Sequence, residues 1–519
     1  MMARRARVWA PLLALASGVL IAGCGSSPSG GEVSFAGSAY PNGDAANTRH
    51  SGGPIDSSSV SELELAWTLP LAKTETSGAY SASPVISGGV LYAQGLGSDV
   101  LAIELESGEA LWRRRLKEPD EAPNGLSVAG RRVYGTTPTS AFALDRRTGR
   151  RLWSAALTRG AREEIAMAPG HHGSRVYVST APVSTGPARG GGAGVLWALD
   201  ARTGKRLWRF DTVPRGLWGN ARVNYGGGLR YPPAFDGGGS LYVGVGGPGP
   251  VPGADGAPWG SSRPGPNLYT NSIVKLDERT GEREWHYQLT PHDVFGWDLQ
   301  GPPILAEAGG RRLVLAAGKA GIAIALDPAT GELVWRRPLG RHNGHDEYGR
   351  YAMRGEDSKL KDIPTLYPGS NGGVIAPMSI DGSRLFAPVV NHPISVPESG
   401  TELRGYSRTN LGELVALDVS NGKLQWSQEF REAPLFGATT SVNDLVFATT
   451  YLGEVAAFEA SSGRRLWRSE LPAGTRTGVA VSGDTVVAFA DAERDTRVPG
   501  VVLPPEGEEP AIVAYRLGG

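Results

Sequence analysis

One phrase recurs seven times along the chain at a fixed internal spacing: an apolar run ending in Asp or Glu, a Gly four residues later, and a Trp four residues after that Gly. The copies are Glu104, Gly108, Trp112; Asp145, Gly149, Trp153; Asp200, Gly204, Trp208; Asp277, Gly281, Trp285; Asp327, Gly331, Trp335; Asp418, Gly422, Trp426; and Glu459, Gly463, Trp467. Trp67, in Leu65-Ala66-Trp67-Thr68-Leu69, stands as an eighth copy without the turn. A repeat held to one spacing fixes the architecture before any single residue does.

The chemistry of each copy is that of a hairpin. The acid accepts hydrogen bonds from turn N–H groups, the Gly takes the positive φ the turn requires, and apolar runs flank both. Upstream of most copies lies another alternating run, such as Gly89-Val90-Leu91-Tyr92-Ala93 or Ser240-Leu241-Tyr242-Val243-Gly244, so the unit is about four short strands. Four-stranded units repeated around a ring are propeller blades, and eight Trp residues predict an all-β, eight-bladed β-propeller. After Trp467 come three strand-like runs, at 478–481, 484–489 and 511–517, with no Trp strand. Residues 64–69 would supply it, so the ring is expected to close by N- and C-terminal strands sharing one blade, which hides the sheet edges. Because a ring of repeats behaves as one unit, residues 37–519 are read as a single domain.

With 52 basic and 52 acidic residues the formal net charge is zero, which removes the electrostatic argument for nucleic acid as a partner. Arg4, Arg5 and Arg7 precede an apolar run over 8–22, the pattern of a signal peptide over residues 1–23. It ends in Leu20-Ile21-Ala22-Gly23-Cys24, which resembles the bacterial lipobox, so Cys24 is expected to carry lipid, with 24–36 as a tether and the folded part facing the extracytoplasmic side of the cell membrane. Cys24 is the only cysteine, so the folded part has no internal disulfide.

Several phrases resemble one propeller family, the pyrroloquinoline-quinone-dependent alcohol dehydrogenases. They are Ala45-Ala46-Asn47-Thr48-Arg49-His50-Ser51; Trp285-His286-Tyr287-Gln288-Leu289-Thr290-Pro291-His292-Asp293 with Trp297-Asp298; Gly318-Lys319-Ala320-Gly321; and Ala387-Pro388-Val389-Val390-Asn391. The resemblance implies a quinone on the ring axis and an alcohol or sugar-like substrate. It makes Asp298 the catalytic base, Lys319 a cationic donor to the quinone and Asn391 a polar contact. Two residues separate His292-Asp293 from the family's spacing to Trp297-Asp298, so Asp293 and Asp298 compete for the catalytic place. The family's Ca²⁺ needs six or more oxygens. Here residues 175–199 hold no acid and the expected Asn falls within Gly244-Val245-Gly246-Gly247-Pro248, so the expected ligands are missing. Arg230 or Tyr231 replaces the Trp beneath the quinone, and Arg230 is assigned positive charge toward the cofactor in the metal's absence.

His342 and His345 with Asp346 and Glu347 have metal-ligand spacing on a turn-rich insertion that reads as a solvated loop, and His171-His172 between glycines reads as a surface turn. Two readings remain: a lipid-anchored quinoprotein dehydrogenase, or a non-catalytic propeller lipoprotein that binds another envelope protein.

Overall fold

The repeat phrase folds as its chemistry dictates. In the copy at Asp145, Oδ1 accepts the N–H groups of Arg147 and Thr148 at 3.2 and 3.1 Å, and Gly149, at φ +66°, returns its N–H to the Asp145 carbonyl at 2.9 Å. The same turn recurs at Asp200, Asp277, Asp327 and Asp418. In this computed structural model the described residues are 37–71, 83–95, 97–118, 125–183, 191–220, 222–299, 301–405, 411–431, 433–490 and 510–518. The expectations for residues 1–36, Cys24 included, lie outside them. The chain divides into Met1–Glu32 and Val33–Gly519, and all the described residues belong to the second unit.

That unit is all-β and propeller-like. Among the described residues eight sheets contain an antiparallel run of four strands each, and each carries one of the repeat Trp residues, by which it is named below. The Trp67 sheet joins the two ends of the fold, since Leu63–Pro70 pairs antiparallel with Ala511–Leu517. The apolar clusters lie between sheets that follow one another in the chain. One packs Val90 and Tyr92 of the Trp112 sheet against Val133 and Phe142 of the Trp153 sheet. Another packs Phe447 and Val455 of the Trp467 sheet against Val486 and Val513 of the Trp67 sheet.

Each Trp is the fastener between one sheet and the next. Its ring lies on the turn Gly of the following copy, so closely that a Cβ on Gly149 would come 2.6 Å from the Trp112 ring and one on Gly331 2.7 Å from the Trp285 ring. Its indole N–H donates to a carbonyl of that same turn: Trp112 to Arg146 at 3.0 Å, Trp208 to Glu278 at 3.1 Å, Trp335 to Val419 at 2.9 Å. The last of these bonds runs from Trp467 back to Leu63, beside Trp67, and Trp67 in turn donates to Leu105 of the Trp112 sheet at 2.9 Å.

A leading segment, residues 37–51, touches the sheets in chain order. Ser38 and Ala39 pair with Ala129 and Val128 of the Trp153 sheet. Tyr40 stacks on His171 of the Trp208 sheet with centroids 4.2 Å apart. The carbonyls of Ala45, Ala46, Thr48 and Arg49 then accept one N–H each from Phe235, Leu305, Ile380 and Ser441, on four successive sheets, at 2.7, 3.0, 3.0 and 2.9 Å. The Arg49 guanidinium, 5% exposed, donates to Thr439 O, Thr440 Oγ1, Val479 O and Pro41 O. Burial pulls its pKa down to about 10, which leaves it charged at neutral pH.

One expectation is corrected here. His171 is no surface turn residue: it is 4% exposed and lies in the strand Gly170–His172, paired with Val176. The turn comes one step later, at Gly173 with φ +53°, and the apolar wall of Tyr40 and Tyr134 buries the imidazole. Among the described residues the only α-helix is Tyr348–Arg354, in the insertion after Trp335, too short to cross a membrane.

Candidate functional site

Asp298 and Lys319 meet between two strands of the Trp335 sheet and the loop that enters it. Lys319 sits in the turn between Arg311–Ala317 and Ile322–Leu326, where Gly321 at φ +62° closes the turn with its N–H on Gly318 O. Lys319 N–H donates to Asp298 O at 2.9 Å, and Lys319 Nζ to Asp298 Oδ2 at 2.7 Å. Both side chains are about one-fifth exposed, at 20% and 23%. The other carboxylate oxygen, Oδ1, accepts the Gly247 N–H at 2.6 Å. A Cβ on Gly247 would stand 2.3 Å from that oxygen, so the carboxylate fills the space a side chain at 247 would take.

The Thr-Pro-His-Asp phrase shapes the loop that presents Asp298. Thr290 Oγ1 accepts Asn271 Nδ2 at 2.7 Å, and both His292 ring nitrogens lie within 3.0 Å of carbonyls, of Gly265 and Trp259. Asp293, 3% exposed, accepts Phe295 N–H at 2.9 Å and Trp297 N–H at 2.7 Å. Burial pushes the Asp293 carboxyl above the usual range, the Phe295 N–H works against that shift, and the nearby Asp298 charge adds to it. Asp293 is thus committed to the loop, whereas Asp298 faces a cation and keeps part of its surface.

The other two candidates have their recorded partners elsewhere. Asn391, at the end of Arg384–Asn391, accepts Arg341 N–H at 2.7 Å and points its amide toward Glu413 Oε2 at 3.4 Å. Its neighbour Val390 exchanges two backbone bonds with Gly373, which packs against the Lys319 carbonyl, so Asn391 is tied to the pair through backbone alone. Arg230 lies 3.5 Å from Glu164 and lines a cavity of about 50 Å³ together with Arg49, Tyr231, Phe436 and Arg476.

A Ca²⁺ ion does not fit these residues. Among the described residues no group of three or more His, Cys, Asp or Glu gathers to hold a metal, and the one carboxylate in place already has an ammonium on one oxygen and an N–H on the other. His342 is likewise used internally, its Nε2 lying 3.0 Å from Gly321 O.

The chain is similar to known quinoprotein propellers in sequence and in fold. The family model described as the glucose/ethanol/alcohol dehydrogenase β-propeller domain matches residues 165–339, and that described as outer membrane protein assembly factor BamB matches 7–155, 98–231 and 387–500. The quinohemoprotein alcohol dehydrogenase ADH IIB of Pseudomonas putida is 27% identical over 473 residues, covering 76% of this chain and 64% of the relative. The quinohemoprotein alcohol dehydrogenase of Comamonas testosteroni is 28% identical over 483 residues, covering 78% and 65%. The chain thus spans just under two thirds of the length of these curated relatives. The crystal structure of the Comamonas testosteroni enzyme superposes with a TM-score of 0.77 at 24% identity, over 93% of this chain and 81% of the other. A europium-containing methanol dehydrogenase superposes with a TM-score of 0.74 at 19% identity, over 92% and 97%.

Proposed function

Because the chain belongs to the pyrroloquinoline-quinone-dependent alcohol dehydrogenase-like family of β-propellers, we propose that it is an eight-bladed, ring-closed quinoprotein that oxidises an alcohol or sugar-like substrate at Asp298. The unbroken series of indole bonds from sheet to sheet, returning to Leu63, supports the ring. The observation that carries the activity is the Lys319 to Asp298 contact at 2.7 Å, with Gly247 N–H on the other oxygen. Two donors fix the carboxylate in one orientation, and a substrate hydroxyl that displaces or shares the ammonium contact meets a base already aimed. Lys319, released from half of that contact, is a donor for the developing negative charge on an acceptor oxygen. Pyrroloquinoline quinone, when bound, supplies the two-electron acceptor, and Asp298 takes the hydroxyl proton. No Ca²⁺ enters this reading. Lipid on Cys24 would hold the protein at the outer side of the cell membrane.

The test is purified protein mixed with pyrroloquinoline quinone, with and without a Ca²⁺ chelator. The expected result is a rise in Tm through linkage and dye reduction with an alcohol, both insensitive to chelation. If no quinone binds, the second reading takes over: a protein-binding scaffold of the cell envelope, favoured by the collapsed Gly247 corner that leaves no metal shell.

A further inference from the structure

Each repeat Trp follows its own turn and donates to a carbonyl of the next one, Trp112 to Arg146 and Trp153 to Ala201, so successive turns share one edge of the sheets. At two of them that edge is basic. The turn of the Trp153 sheet carries Arg147, Arg150 and Arg151, and that of the Trp208 sheet carries Arg202 and Lys205, all exposed. Among the described residues none of these five side chains makes an ion pair or a hydrogen bond. The acids of the same turns, Asp145 and Asp200, are engaged by their own backbones, with Oδ1 accepting Thr148 N–H at 3.1 Å and Thr203 N–H at 2.8 Å. The flanking turns differ in sign: Glu104, Glu106 and Glu109 stand on one side, and Asp277, Glu278 and Glu282 around Arg279 on the other. A chain of zero net charge thus gathers an unpaired positive excess at one place.

The folded chain opens at the same place. Gly37 O accepts Gly130 N–H at 3.1 Å and Arg146 Nη1 at 3.1 Å, and Arg146 N–H in turn donates to Arg131 O at 2.9 Å. Gly37 therefore sits on the two turns of the Trp153 sheet. It follows Cys24 by thirteen residues, which span at most about 45 Å, so lipid on Cys24 would keep these turns near the bilayer. The Asp298 site lies at the other edge: Lys319 precedes the strand Ile322–Leu326, and the repeat turn at Asp327 follows it. We propose that the turns of the Trp153 and Trp208 sheets dock on an anionic phospholipid surface, which leaves the Asp298 site facing away from the membrane. This rests on the reading that Cys24 carries lipid. A bilayer offers a plane of phosphates that long side chains on separate turns reach together, and each such cation raises partitioning about fivefold.

The test places the full chain, purified from membranes, on vesicles of phosphatidylcholine alone or of phosphatidylcholine mixed with phosphatidylglycerol. Flotation with the neutral vesicles reads the lipid anchor. Reaction of arginines with phenylglyoxal, mapped by mass spectrometry, reads the docking. On the anionic vesicles Arg147, Arg150, Arg151 and Arg202 should react about fivefold more slowly than on the neutral ones, while Arg341, exposed beyond the opposite edge, should react equally on both. Raising the salt to about 0.5 M, where the Debye length is about 4 Å, should abolish the difference. Changing Arg150→Glu, Arg202→Glu and Lys205→Glu together should remove the protection of Arg147 and Arg151 without altering Tm. If these changes disturb folding, the salt response of the unaltered protein decides. A protein that fails to float on neutral vesicles refutes the anchor by itself, and its reaction pattern on anionic vesicles still decides the docking. Equal reaction on the two vesicles, protection of Arg341, protection that survives salt or charge reversal, or equal protection by free polyglutamate overturns the proposal.

Discussion

The indole N–H of Trp467 donates to the carbonyl of Leu63 at 3.1 Å across 404 residues of sequence. It is the same bond that Trp285 makes to Pro328 at 3.1 Å and Trp426 to Ala460 at 2.9 Å, between neighbouring repeats. The indoles are therefore stability elements first. Trp285→Ala should lower unfolding free energy by about 3 to 5 kcal/mol, and Trp467→Phe, which keeps the ring and loses one bond, by about 1 kcal/mol. Chemical unfolding followed by far-UV circular dichroism measures both, and a Trp285→Ala protein that unfolds like the parent would show that the rings do not fasten the sheets.

The seat of each ring can be tested apart from backbone strain. Gly331 at φ +74° would put a Cβ 2.7 Å from the Trp285 ring, whereas Gly89 at φ +72° has nothing within 4 Å. Alanine at either position should cost about 1 kcal/mol for the positive φ. Gly331→Ala should cost clearly more than that, because the ring must move, and equal losses at the two positions would refute the steric seat.

His171 sets a pH dependence whose sign is fixed. Burial holds its pKa at about 4, against 6.5 for the unperturbed group, so the folded state binds fewer protons than the unfolded chain between those values. The stability it allows is complete above pH 6.5 and falls as pH drops toward 4, by about 3 kcal/mol in total. His171→Phe, which keeps the stacking on Tyr40, should flatten that part of the profile. Thermal melts of both proteins between neutral pH and pH 4.5 decide it: parallel profiles would remove His171 as the cause.

Gly247→Ala and Asp298→Asn attack one contact from two sides. The first pushes the carboxylate off its N–H and away from Lys319, and the second leaves the shape and removes the charge. Both should lower quinone-dependent dye reduction by 100-fold or more, on the order of the share of a positioned base, with little change in Tm. Full activity in Asp298→Asn would transfer the chemistry to another residue.

The anchor is open to fractionation. Cys24→Ser should move the protein from the membrane pellet to the soluble fraction, since a diacylglyceryl group holds a protein where one chain holds it only marginally. An unchanged pellet, with no lipid on the mature N-terminus by mass spectrometry, would refute it.

The repeat was legible because Asp, Gly and Trp each do a local job that only a few side chains can do. What the spacing did not reveal is that each Gly also seats the Trp of the preceding copy, a relation between residues some 40 to 90 apart. Asp298 and Lys319 were legible only by resemblance; no local pattern joins a loop Asp to a turn Lys 21 residues on. Asp293 was the rival because sequence carries no sign of burial, and burial is what separates the two. His171 was misread for the same reason: its flanking glycines announce a turn, but strand pairing shifts that turn to Gly173.

The leading segment has a consequence for how the molecule is made. Residues 45–49 bond to Phe235, Leu305, Ile380 and Ser441, partners that leave the ribosome long after them. Contacts so remote in sequence close late, because their loop entropy is offset only once the intervening chain is ordered. Residues 45–49, among the first of the folded unit to be synthesised, are therefore seated late, and a chain truncated before Ser441 leaves Arg49 without the last of these partners.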